Sequence, residues 1–82
     1  MANEKILLVE DDFALAMGTE YTLKTENYEV VKASNLAEAK ALLQPDIDLV
    51  LLDVMLPDGN GYDFCRYIRE HDNYVPVISV SY

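Results

Sequence analysis

Four acidic side chains stand where short apolar runs end. Ile6-Leu7-Leu8-Val9 leads into Glu10-Asp11-Asp12, and Leu49-Val50-Leu51-Leu52 leads into Asp53. If both runs are neighbouring strands, Glu10, Asp11 and Asp53 converge at one rim. Like charges brought that close cannot all stay ionised without compensation, so either one carboxyl is protonated or a cation sits among them. Carboxylate oxygens with room left for water suit Mg²⁺. The chain turns directly after Asp53, through Leu56-Pro57-Asp58-Gly59, so the Met55 carbonyl is placed to add a further ligand. An acid at a strand end is more often a helix cap or a solvated side chain, and Asp12 fits that cap role. Asp53 does not, because a carboxylate ending four apolar residues is partly buried and costly there without a reason.

The elements that must position these acids alternate. Lys5–Val9 reads as a buried strand, with consecutive rather than alternating apolar residues, as in parallel strands covered on both faces. A helical stretch runs from Phe13 to about Glu26 and carries two competing stripes. One is Leu15, Thr19, Thr22 and Leu23 beside Gly18; the other is Phe13, Met17 and Tyr21. The second stripe is either left exposed or meets a partner chain. Glu29–Ala33 is a shorter, more polar strand, expected near an edge. Asn35 and Glu38 have capping-box spacing and open a helix through Leu43, with Leu36, Ala39 and Leu43 on one face. Leu49–Asp53 is the third strand, and Pro57, Gly59 and Gly61 predict a loop. Tyr62 to about Glu70 is a third helix with Phe64, Cys65 and Ile68 inward, and Val77–Ser81 a fourth strand. The order β-α-β-α-β-α-β predicts an α/β fold, a parallel sheet with right-handed crossovers and helices on both faces. In such sheets function collects beyond the carboxyl ends of the strands, where Glu10, Asp11, Asp53 and Ser81 fall.

Composition narrows the classes further. The chain has 82 residues with 15 acids against 6 bases, a formal charge of -9, which argues against direct binding to nucleic acid or anionic membrane. Cys65 is the single cysteine, which fits a reducing compartment. The first residues lack a signal-peptide pattern, and the apolar runs are too short to span a bilayer. A soluble cytoplasmic domain is the expectation. His71, Arg66 and Arg69 are expected on exposed parts of the third helix.

Ile6 to Asp12, Leu49 to Gly61 and Val75 to Ser81 together resemble the receiver domain of two-component response regulators, a flavodoxin-like fold. The resemblance runs from Lys5 to Ser81 and is most specific around Asp53. It implies that Asp53 accepts a phosphoryl group from the phosphohistidine of a sensor histidine kinase. It implies that Glu10 and Asp11 hold Mg²⁺ with Asp53 and the Met55 carbonyl, and that the Ser81 hydroxyl turns toward the phosphoryl as a switch. It implies a signalling acceptor rather than an enzyme. An aspartyl phosphatase would carry a second Asp two positions after Asp53, where Met55 stands. A flavin site would need a hydroxyl- and glycine-rich loop where Glu10-Asp11-Asp12 stands.

The sequence departs from the family after the fourth strand. A complete receiver has five strands and five helices, with a lysine on the fifth strand; here Lys40, in the second helix, is the last lysine. Tyr82 stands where a small residue usually follows the switch hydroxyl. The expectation is a partial receiver over 1–82, without linker or effector domain, whose fourth strand is an open edge and whose sheet is half uncovered on one face. That predicts a homodimer, with strand exchange as one route. It leaves a second function open: a non-switching module that self-associates through the same fold.

Overall fold

The computed structural model describes residues 3–53, 55–71 and 74–80. The elements are β1 (Lys5–Val9), α1 (Phe13–Thr25), β2 (Glu29–Ala33), α2 (Leu36–Leu42), β3 (Leu49–Asp53), β4 (Met55–Leu56), β5 (Gly59–Asn60), α3 (Gly61–Glu70) and β6 (Val77–Val80). Four strands form a parallel sheet in the order β2-β1-β3-β6. This is the flavodoxin-like arrangement that the sequence predicts, with β2 at one edge and β6 at the other. The segment expected to be a plain loop pairs instead. Met55 and Leu56 lie antiparallel to Asn60 and Gly59, with Pro57 and Asp58 between them. Two central residues are enough to close a hairpin, and Pro and Asp are turn formers.

Register sorts the sheet into two faces. Leu7, Val50 and Val77 lie side by side, as do Val9 and Leu52. With Ala33 they meet Leu36 and Ala39 of α2 and Phe64 and Ile68 of α3, forming the main core with Ile47, Leu56 and Val75. On the other face Leu8, Leu51 and Ile78 share a row. There α1 covers β1 and β2, so Ile6 and Leu8 are buried. Leu49 and Leu51 are half-buried, and Ile78 at the β6 edge is 52% exposed. β3 therefore alternates in burial, where a continuous apolar run predicted equal cover on both faces.

Helix α1 starts at Asp12, whose carboxylate accepts from Leu15 N at 3.0 Å, the cap role expected of it. It ends where Asn27 turns left-handed at φ 68°, letting Tyr28 N donate to Leu23 O at 3.1 Å. Its packing face matches the expected stripe only in part. Leu15 and Thr22 are exposed, and the inward positions are Ala16, with Thr19, Glu20 and Leu23 half-buried. Ala16 is the buried residue of the helix, while Glu20 pairs with Lys32 of β2 at 3.0 Å and Lys24 at 3.1 Å. The second stripe stands in solvent: Phe13, Met17 and Tyr21 are all exposed.

Cys65 is half-buried against the core rather than inside it. His71 is exposed, as expected, at the C-terminal end of α3. Arg66 and Arg69 are exposed too, as expected, and Arg69 also donates to Val75 O at 3.0 Å. No helix among the described residues is long and apolar enough to cross a membrane.

Candidate functional site

Parallel pairing of β1 with β3 sets Val9 opposite Leu52, so the chain leaves both strands with Glu10 beside Asp53. The sheet order thus performs the convergence predicted from the sequence. One carboxylate oxygen each from Glu10, Asp11 and Asp53 lies within 4.8 Å of the others. The three differ in depth: Glu10 is 4% exposed, Asp53 half-buried and Asp11 exposed. Met55 follows Asp53 by two residues and opens the β4–β5 hairpin. Ser81 lies outside the described residues.

Glu10 is the strained member. Its Oε1 accepts from Asp12 N at 3.0 Å, while Oε2 is buried and finds no hydrogen-bond partner among the described residues. Burial pushes its carboxyl up to about 7, the Asp12 amide pulls it down, and the neighbouring Asp53 carboxylate raises it further. An orphaned oxygen in an all-carboxylate set fits a hard, oxygen-seeking divalent cation. Beside this rim a cavity of about 220 Å³, lined in part by Glu10, Asp11, Phe13 and Lys32, opens between α1 and the end of β2.

The raised Glu10 group makes metal-free stability pH-dependent. Between the ordinary carboxylate value of 4.5 and about 7, the folded chain keeps a proton that the unfolded chain has released. That contribution is complete below the lower value and lost as pH rises through the higher one. The melting temperature of chelator-treated protein should therefore fall from about pH 5 to about pH 8, and Mg²⁺ should restore it at the upper end more than at the lower. Glu20, Glu38, Asp46 and Asp58 are all shifted down, so their contributions change below this window. A melting temperature that climbs with pH across that range would contradict the assignment.

Sequence reasoning missed what holds the segment after Asp53. Asp58 is exposed yet fully engaged: its Oδ1 accepts from Leu36 N at 2.8 Å and its Oδ2 from Ala37 N at 3.1 Å. These are the first two free amides of α2, and bonding to them holds the Asp58 carboxyl below its ordinary value. The expected Asn35–Glu38 pairing supplies the third cap: Glu38 N donates to Asn35 Oδ1 at 2.8 Å. Glu38 in return accepts from Ser34 N at 3.1 Å. No local pattern signals a cap arriving from more than twenty residues away.

Comparison with known proteins gives a consistent result. Residues 6–82 match the family described as the response regulator receiver domain. The chain is 39% identical over 80 residues to the regulatory protein VanR of Enterococcus faecium, covering 96% of this chain and 34% of that one. Among solved structures it is similar to the non-phosphorylated HemR receiver domain from Leptospira biflexa, with TM-score 0.89 and 38% identity. That match covers 94% of this chain and 63% of the other. It is also similar to the MaeR response regulator bound to beryllium trifluoride, with TM-score 0.81, 38% identity, and coverage of 94% and 66%. The chain thus spans about a third of the length of the curated relatives it matches.

Proposed function

We propose that this chain, which belongs to the response regulator receiver domain family of two-component systems, accepts a phosphoryl group on Asp53. The observation that carries this reading is the convergence of Glu10, Asp11 and Asp53 within 4.8 Å at the carboxyl ends of two neighbouring parallel strands. An Asp53 carboxylate oxygen attacks the phosphorus of the donor as the bond from phosphorus to the leaving nitrogen or oxygen breaks. The electron pair leaves with that atom, which takes a proton from solvent, and Asp53 becomes an acyl phosphate. Glu10, Asp11, Asp53 and the Met55 carbonyl are the groups that would hold Mg²⁺. When bound, the cation draws charge from the transferring group and screens the acids from the incoming phosphate. Without that screening a rim of three carboxylates repels any phosphodonor. Ser81 is assigned the hydroxyl that reads the added charge. The donor partner is a sensor histidine kinase, the setting cytoplasmic, and the chain an acceptor rather than an enzyme.

A second reading keeps the fold and drops the chemistry: a self-associating interaction module. The exposed Phe13, Met17 and Tyr21 stripe and the β6 edge with Ile78 favour it. Native mass spectrometry of the chain with acetyl phosphate, with and without Mg²⁺, separates the two. The phosphoacceptor reading expects one phosphoryl per chain with Mg²⁺ and none in chelator. A folded dimer that gains no phosphoryl group under either condition would overturn it in favour of the interaction module.

A further inference from the structure

The hairpin after Asp53 is fastened to two helices at once. Its tip residue Asp58 caps α2 through Leu36 N and Ala37 N, and its last residue Asn60 caps α3, with Oδ1 accepting from Tyr62 N at 2.7 Å. Leu56, on the strand paired with Gly59, is buried in the main core. Gly59 has φ +156°, a conformation that side chains with a Cβ rarely adopt, and it lies against α2, where a Cβ would stand 2.6 Å from the end of the Leu36 side chain. The residue opening this fastened segment is Met55, two positions from the acceptor.

We propose that Asp58 is a positioning residue for the cation site, setting where the Met55 carbonyl stands relative to Asp53 by clamping the hairpin to the first turn of α2. The inference rests on the phosphoacceptor reading and assigns Asp58 a role in it. A cap contributed by α2's own neighbourhood would stabilise the helix equally well. Asn35 is such a cap, holding Glu38 N from the adjoining residue. Asp58 differs in that its two hydrogen bonds tie the helix to the segment that leaves Asp53. Removing Asp58 frees the hairpin tip, whereas removing Asn35 loosens the same helix and leaves the hairpin bonds in place.

The test is calorimetric titration of Mg²⁺ alone into wild type, Asp58→Ala, Asp58→Asn and Asn35→Ala, with a thermal melt of each. Both Asp58→Ala and Asn35→Ala should lower the melting temperature by about 5 °C, the usual scale for one lost cap in a domain this small. Asp58→Ala should also weaken Mg²⁺ binding by about tenfold, and Asn35→Ala by less than about twofold. Asp58→Asn keeps one acceptor oxygen and carries the comparison if Asp58→Ala fails to fold. With acetyl phosphate, the Mg²⁺ concentration giving half-maximal phosphorylation should rise while the rate at saturating Mg²⁺ changes little. Unchanged Mg²⁺ affinity in both Asp58 variants, or equal weakening in Asn35→Ala, would reduce Asp58 to a structural cap. Wild type that takes up no Mg²⁺ would overturn the phosphoacceptor reading itself, which the other two outcomes leave standing.

Discussion

Asp53→Asn is expected to abolish phosphoryl uptake and, in metal-free protein, to raise stability. The two effects have one origin. The carboxylate that attacks phosphorus is also a like charge within 4.8 Å of Glu10 and Asp11. An amide at this position lacks the oxyanion needed for attack, so acetyl phosphate should leave the variant unmodified even at saturating Mg²⁺. The same substitution relieves the repulsion that helps raise the Glu10 carboxyl. At a pH where Glu10 would otherwise be ionised, that relief is worth about 1 kcal/mol, or roughly 5 °C in melting temperature for a domain of this size. Intact-mass analysis reads the first effect and a melt in chelator the second. Residual phosphorylation at the wild-type level would move the acceptor elsewhere, and a lower melting temperature would mean Asp53 supports the fold rather than burdening it.

The second large effect lies in the core beneath the site. Phe64 is fully buried between sheet and helices, with its ring stacked 6.2 Å from that of Tyr67. Truncating a buried phenylalanine to alanine costs about 3 to 5 kcal/mol, the lost transfer energy plus the cavity left behind. At the usual stability per residue, a chain this short has only about 4 to 12 kcal/mol in total. Phe64→Ala should therefore leave the protein largely unfolded at room temperature, or with its urea midpoint cut by about half. Tyr62→Ala, on the exposed side of the same helix, should stay within about 0.5 kcal/mol of wild type. Circular dichroism through urea titrations checks both. Equal midpoints for the two variants would mean that α3 does not hold the core.

Much of this arrangement was legible in the residues. The apolar runs ending in Glu10 and Asp53 marked the two strands whose adjacency makes the rim, and the Asn35–Glu38 spacing marked the start of α2. What the sequence did not reveal depended on tertiary geometry. The inward face of α1 is built on Ala16, whose small side chain carries little weight in a hydrophobic pattern. Leu15, the stronger apolar signal, faces out. The hairpin after Asp53 was hidden because two-residue strands have no readable period. The role of Asp58 was hidden because its partners, the α2 amides, lie far away in the chain.

The central claim is that the carboxylate rim is a cation-dependent acceptor for a tetrahedral phosphoryl group. Fluorine NMR of the chain with beryllium trifluoride, a tetrahedral stand-in for that group, tests it without any phosphodonor. The account predicts a protein-bound fluorine signal that appears with Mg²⁺, disappears on chelation and is absent in Asp53→Asn. A bound signal that persists in chelator or in Asp53→Asn, or none in wild type with Mg²⁺, would contradict it.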